Sequence, residues 1–162
     1  MKHFTSSVLM LATVAGSLVF TSCKKDSDDP KPKSKAELIT AKNWRVSADV
    51  STEVGSNGQT VTTDGYAKYQ ACEKDDYVKF NSDKTLKSNQ GTNRCNSSDP
   101  QEETGSWDFN SDQTKLTLVN PNFGGLAIQL DLVELTATTL KTKISSGSGS
   151  TLETQTITFT AF

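Results

Sequence analysis

Histidine is almost missing from this sequence: His3 is the only one in 162 residues, and it lies in a segment expected to be removed. The remaining chain then cannot build a Ser-His-Asp or Cys-His catalytic array, nor a histidine-ligated zinc, copper or iron site. Aromatic residues are scarce at 7%, and only 33% of the chain is hydrophobic, so a single domain of this length carries a thin core. No stretch rich in Ala, Leu, Glu and Lys stands out, whereas Thr and Ser abound, a balance that favours strands over helices. With 17 basic against 19 acidic residues and no basic stripe, the charge pattern argues against a nucleic-acid partner. The apolar run Val8 to Phe20 falls short of the roughly 20 residues that a membrane-spanning helix needs.

That run is informative in its own right. Lys2 and His3 precede it, which gives the basic start and short apolar centre of a secretory leader. It ends in Thr21-Ser22-Cys23, followed at once by KKDSDDPKPKS. Small residues before a cysteine, with a polar tail after it, resemble a bacterial lipoprotein signal. The resemblance implies a signal peptide over 1–22, cleavage before Cys23, and acylation of Cys23 on its sulfur and its new amine. Ordinary cleavage near Ser22, with Cys23 incidental, is the alternative. Residues 23–33 are polar, carry two prolines and read as a flexible tether before a domain at 34–162. Lys24, rather than Asp, after the cysteine argues for the outer membrane over inner-membrane retention. Asp26-Ser27-Asp28-Asp29 looks like an export tag to the cell surface, or else a solvated spacer facing the periplasm. Each buried methylene adds about 0.8 kcal/mol, so several acyl chains would hold the domain on a membrane.

Past the tether, Ser34 and Glu37 stand at capping-box spacing and predict a short helix through about Ala41. NWRVSADVSTEV then alternates, with Trp44, Val46, Ala48 and Val50 predicted on one face and Arg45, Ser47 and Asp49 on the other. TVTTDGYAKYQA reads as a polar, Thr-rich strand. The chain next repeats itself: FNSDKTL at 80–86 returns as FNSDQTKL at 109–116. Asn and Asp tolerate left-handed backbone and bond their own main chain, so each Asn-Ser-Asp predicts a tight reversal between strands. The apolar LAIQLDLVEL, then TTLKTKI and TLETQTITFTAF, supply the last strands. Eight or nine strands with short connections and no helix between them predict an all-β, antiparallel up-and-down barrel. Closure would remove the exposed edges that make flat sheets aggregate.

The helix before NWRV, the block from Cys72 through DDYVKFNSDKTL, Cys95 and GSWDFNSDQTKL together resemble the lipocalin-like domain of small bacterial outer-membrane lipoproteins. The resemblance covers roughly residues 35 to 162 and implies a lipocalin-like barrel. True lipocalins open their first strand with Gly-x-Trp; here Lys42 stands two before Trp44, and the pattern occurs instead at Gly105 to Trp107.

Cys72 and Cys95 are the cysteines left after lipidation, and an exported chain with two is expected to join them, two free thiols being the alternative. Asp75–Asp76 and Glu102–Glu103 are adjacent pairs whose members face opposite sides of a strand. Neither pair alone makes a two-carboxylate catalytic site; solvated loop charges are the expected reading, and a cross-pair is conceivable if the disulfide brings both loops together. The Asn-Ser-Asp turns lack the glycine and bidentate glutamate of a calcium loop. The inward set of Trp44, Val46, Phe80, Trp107, Phe109, Leu116, Leu118, Ile128 and Phe159 either fills the barrel or surrounds a small apolar ligand. Tyr66, Tyr69 and Tyr77 lie close to Cys72 and could line a mouth that stacks on a sugar or a lipid, or could be surface residues. The candidate ligand-binding residues are therefore Trp44, Tyr66, Tyr69, Tyr77, Phe80, Trp107 and Phe109, with no catalytic residue, metal or cofactor. The expected function is that of a non-enzymatic, monomeric, lipid-anchored barrel that binds a small apolar molecule or a glycan. An accessory lipoprotein that docks on a protein partner through a filled barrel is the alternative.

Overall fold

Ser34 caps the first element. In the computed structural model, which describes residues 31–121, 124–148 and 152–162, helix α1 (Lys35–Thr40) begins with the reciprocal Ser34–Glu37 capping box. The proposed signal peptide, Cys23 and the tether as far as Pro30 lie outside the described residues. Nine strands follow: β1 (Asn43–Val54), β2 (Thr60–Asp64), β3 (Tyr77–Phe80), β4 (Thr85–Asn89), β5 (Glu102–Phe109), β6 (Lys115–Val119), β7 (Ala127–Leu135), β8 (Thr139–Ser146) and β9 (Glu153–Ala161). From β3 to β9 each strand pairs antiparallel with the next, and β9 returns to pair with β1, whose first residues pair with β3. Eight strands thus close into an antiparallel barrel, and β2 is an extra strand on the far half of β1. Among the described residues no helix is long and apolar enough to cross a membrane.

Nearest-neighbour pairing breaks at one place. The segment read as one polar strand holds β2, a 3-10 turn (Tyr66–Lys68) and helix α2 (Ala71–Lys74), so helix does stand between strands. Local hydrogen bonds outcompete the ladder here. The Gly65 amide returns to the Asp49 carbonyl, Asp64 accepts from the Ala67 amide, and Gln70 and Glu73 form a second capping box.

Both Asn-Ser-Asp repeats are hairpin turns, between β3 and β4 and between β5 and β6. Asp83 accepts from the Thr85 amide and hydroxyl, and Asp112 does the same for Thr114. Lys84 and Gln113 take the left-handed backbone that closes each turn, at φ 70° and 55°. The second copy has one residue more between its paired ends, Phe109 and Leu116, than the first has between Phe80 and Leu86.

The alternation in β1 is correct only for its first half. A bulge between Val46 and Ala48 shifts the register against β9. Trp44 and Val46 share a face with Ala161 and Phe159, but past the bulge it is Asp49 that stands opposite Ile157 on that face. An extra residue in one strand reverses every later side chain, so Ala48 and Val50 face outward and Asp49, only 6% exposed, faces in.

Ile39, Trp44, Phe80, Leu86, Trp107, Leu116 and Leu140 form the buried cluster, with Phe109, Leu118 and Phe159 packed against it. Ile39 and Leu86 are additions to the predicted inward set. Leu126 is 71% exposed, because β7 begins only at Ala127.

Candidate functional site

The two ends of the barrel are built differently. At one end the short turns between β3 and β4, β5 and β6, and β7 and β8 gather around α1, and the Lys35 ammonium donates to the Gln113 carbonyl. Trp44 Nε1 donates to the Ile39 carbonyl at 2.7 Å, and Trp107 Nε1 to the Asn81 carbonyl at 3.0 Å. Phe80, Trp107 and Phe109 meet edge to face, with ring centroids 5.5 and 5.4 Å apart. Geometry of this kind adds to the burial of aromatic rings and packs the interior at this end, leaving a surface groove of about 180 Å³ between α1 and the β3–β4 turn.

The other end carries the long connection from β4 to β5, the 3-10 turn and α2. The expected disulfide is present: Cys72 on α2 joins Cys95 in that connection, with Cα atoms 5.2 Å apart. Beside it, one oxygen of Asp75 accepts from the Thr92 amide and hydroxyl, both at 2.8 Å, and from the Asn93 amide at 3.0 Å. These bonds, the Thr92 hydroxyl foremost, hold the Asp75 carboxyl below the usual range. Gly91, at φ 59°, lies so close to Asp75 that a side chain there would collide with it.

Between these loops and the aromatic floor lies a cavity of about 200 Å³. Trp44, Val46, Val78 and Phe159 give it an apolar wall, and Asp76, Ser88, Gln90 and Glu103 give it polar atoms. Two of those atoms stand out: Asp76 Oδ1 and Glu103 Oε2 are buried and have no hydrogen-bond partner. Burial pushes the Asp76 carboxyl up to about 6, helped by the charges of Asp75 and Glu73. Asp49 on β1 is satisfied by contrast, accepting from Tyr69 Oη at 3.1 Å and Gln155 Nε2 at 2.9 Å. Burial, followed by the Asp49 charge, raises the Tyr69 hydroxyl to about 12. Asp49 therefore stays bonded to a neutral phenol.

Of the seven residues singled out from sequence, Trp44 and Tyr77 line this cavity. Phe80 and Trp107 lie in the buried cluster, and Phe109 packs against it. Tyr66 packs on Tyr69 at 5.3 Å beneath the Lys74 ammonium, away from the cavity wall. Asp76 and Glu103 were the residues missed. Each belongs to one of the two adjacent acidic pairs, and both line this one cavity. The available signal was parity: Asp76 is two residues before Val78, in line with the inward side of β3 though just ahead of it, and Glu103 is four before Trp107 on the inward side of β5. Among the described residues no group of His, Cys, Asp and Glu is arranged to hold a metal ion.

A family model for the lipocalin-like domain matches residues 40–142. The chain belongs to the lipocalin-like domain family. The match spans β1 through the first half of β8, and with it the cavity wall except Phe159. Lipocalin-like proteins are in general non-enzymatic binding proteins, and the lipocalin-like barrel here is compatible with binding of a small molecule. No curated protein matches the chain.

Proposed function

We propose that this chain is a lipid-anchored lipocalin-like binding protein of the bacterial outer membrane, which holds a small, largely apolar molecule or a glycan in the cavity at the open end of its barrel. The carrying observation is that cavity, which has an apolar wall formed in part by Trp44 and lies inside a barrel of a family of binding proteins. An eight-stranded barrel is just wide enough either to be filled by its own side chains or to hold one small ligand, and here one end is filled and the other is not. The apolar leader, the small residues before Cys23 and the polar tether support the anchor. The absence of histidine from residue 4 onward supports a role without catalysis.

The competing reading, an accessory lipoprotein that docks on a protein, has in its favour the exposed Leu126 and Val133. Native mass spectrometry of the protein taken from its own membrane separates the two. A retained small molecule, with ligand-dependent change in Trp44 emission, is expected for the carrier; an empty barrel that co-purifies with a protein would overturn it. The same spectrum reads the acyl mass at Cys23, which Cys23→Ser removes if the anchor is right.

A further inference from the structure

We infer that the cavity selects an organic cation: a short apolar body carrying a protonated amine that donates to Asp76 and Glu103. This rests on the small-molecule reading above and names the ligand's chemistry. The wall that meets the body is Trp44, Val46, Val78 and Phe159, which offers contact area and no donor toward a ligand, since the indole N–H is already given to Ile39. At the polar side, Asp76 Oδ1, from the residue just before β3, and Glu103 Oε2, from β5, line the same space. Each is shut off from solvent without a hydrogen-bond partner.

A buried acceptor without a donor is costly, and a buried charge without a counter-charge more so. Proteins normally leave neither in place unless something else completes it. The protein does not complete these two, for neither lysine nor arginine is among the residues lining the cavity. The contrast with Asp49 is instructive. That carboxylate is buried on the same inward face, yet it is saturated by Tyr69 and Gln155. A neutral sugar could supply hydroxyl donors to Asp76 and Glu103, as Tyr69 and Gln155 do for Asp49, but it would place polar hydroxyls against an apolar wall. An anionic lipid would be repelled. A primary ammonium has three donors and one positive charge, and so meets both requirements at once. The volume of about 200 Å³ sets the size, below the range usual for drug-like ligands, and so an amine of few carbons.

The test uses purified full-length protein and three probes, n-hexylamine, n-hexanol and glucose, followed by calorimetry and by tryptophan emission. Hexylamine is expected to bind about tenfold or more tightly than hexanol, the ordinary worth of a hydrogen bond to a charged group. Glu103→Gln should erase most of that preference, and an unchanged circular dichroism spectrum and unfolding midpoint show that the variant is folded. Equal affinity for hexylamine and hexanol, tighter binding of glucose, or an unchanged preference in Glu103→Gln overturns the inference and leaves a small-molecule site standing. Failure of all three probes to bind the folded protein overturns the small-molecule reading with it.

Discussion

The end of the barrel under α1 and the end beside the disulfide enclose space with the same strands, yet they use it in opposite ways. At the first, short turns bring Phe80, Trp107 and Phe109 edge to face, and a helix residue, Ile39, closes the interior. At the second, longer connections are held by a disulfide and by the Asp75 clamp, and the interior carries Asp49, Asp76 and Glu103. The difference teaches that apolar packing and open, polar-lined space have been separated along the barrel axis. Apolar burial is concentrated where nothing needs to enter, and the uncompensated carboxylates stand where something can.

Breaking the solid end should have the largest effect. Phe80→Ala removes a side chain that is 1% exposed, and it is expected to cost about 3–5 kcal/mol in urea unfolding. Val78→Ala, two residues along the same strand and against the cavity, should cost only about 1 kcal/mol. Equal losses would mean that the two ends do not differ in packing.

The next test loosens the open end. Replacing Cys72 and Cys95 together by serine opens a link across 23 residues, for which loop closure predicts a loss of about 3 kcal/mol. Hydrogen exchange should show the loss of protection confined to α2 and the 90–95 segment, with Trp107 and Leu116 still protected below the global transition. Uniform loss over the barrel would contradict the separation.

The smallest effect sharpens the comparison electrostatically. Asp76 is held at about 6 in the fold against 3.8 for the free group, so the folded state holds its proton more tightly than the unfolded one. The group's contribution to stability is therefore neutral below about pH 4 and becomes unfavourable as pH rises through 6. Asp76→Asn should match the wild type near pH 3.5 and exceed it at pH 7 by about 0.5–1 kcal/mol, a modest figure because the side chain is partly solvated. Equal pH profiles for the two proteins would refute the strain assigned to this carboxyl.

Much of the fold was legible because it is written locally. The capping box at Ser34 and Glu37, the two Asn-Ser-Asp turns and the alternation of β3, β5 and β6 each depend on residues within a few positions of one another. The strand predicted across Tyr66 to Ala71 was misread because Asp64 and the Gln70–Glu73 pair bond neighbouring backbone and stop the ladder. The candidate site was half legible. Trp44 and Tyr77 were identified, but Phe80, Trp107 and Phe109 form the floor of the other end, since nothing in alternation says how far along the barrel axis a residue stands.

The amino-acid order alone determined that the chain is built of strands, that it reverses sharply at 81–84 and 110–113, and that Cys72 and Cys95 were available to join. Only the tertiary structure decided which acidic residue turns inward. The bulge in β1 is a register event between two strands more than 100 positions apart, and it moves Asp49 from the outer face to the interior. The union of Asp76 and Glu103 on one cavity depends likewise on β3, β4 and β5 lying side by side. Periodicity fixes the side of a strand on which a residue lies, whereas the surroundings of that side are set by partners distant in the chain.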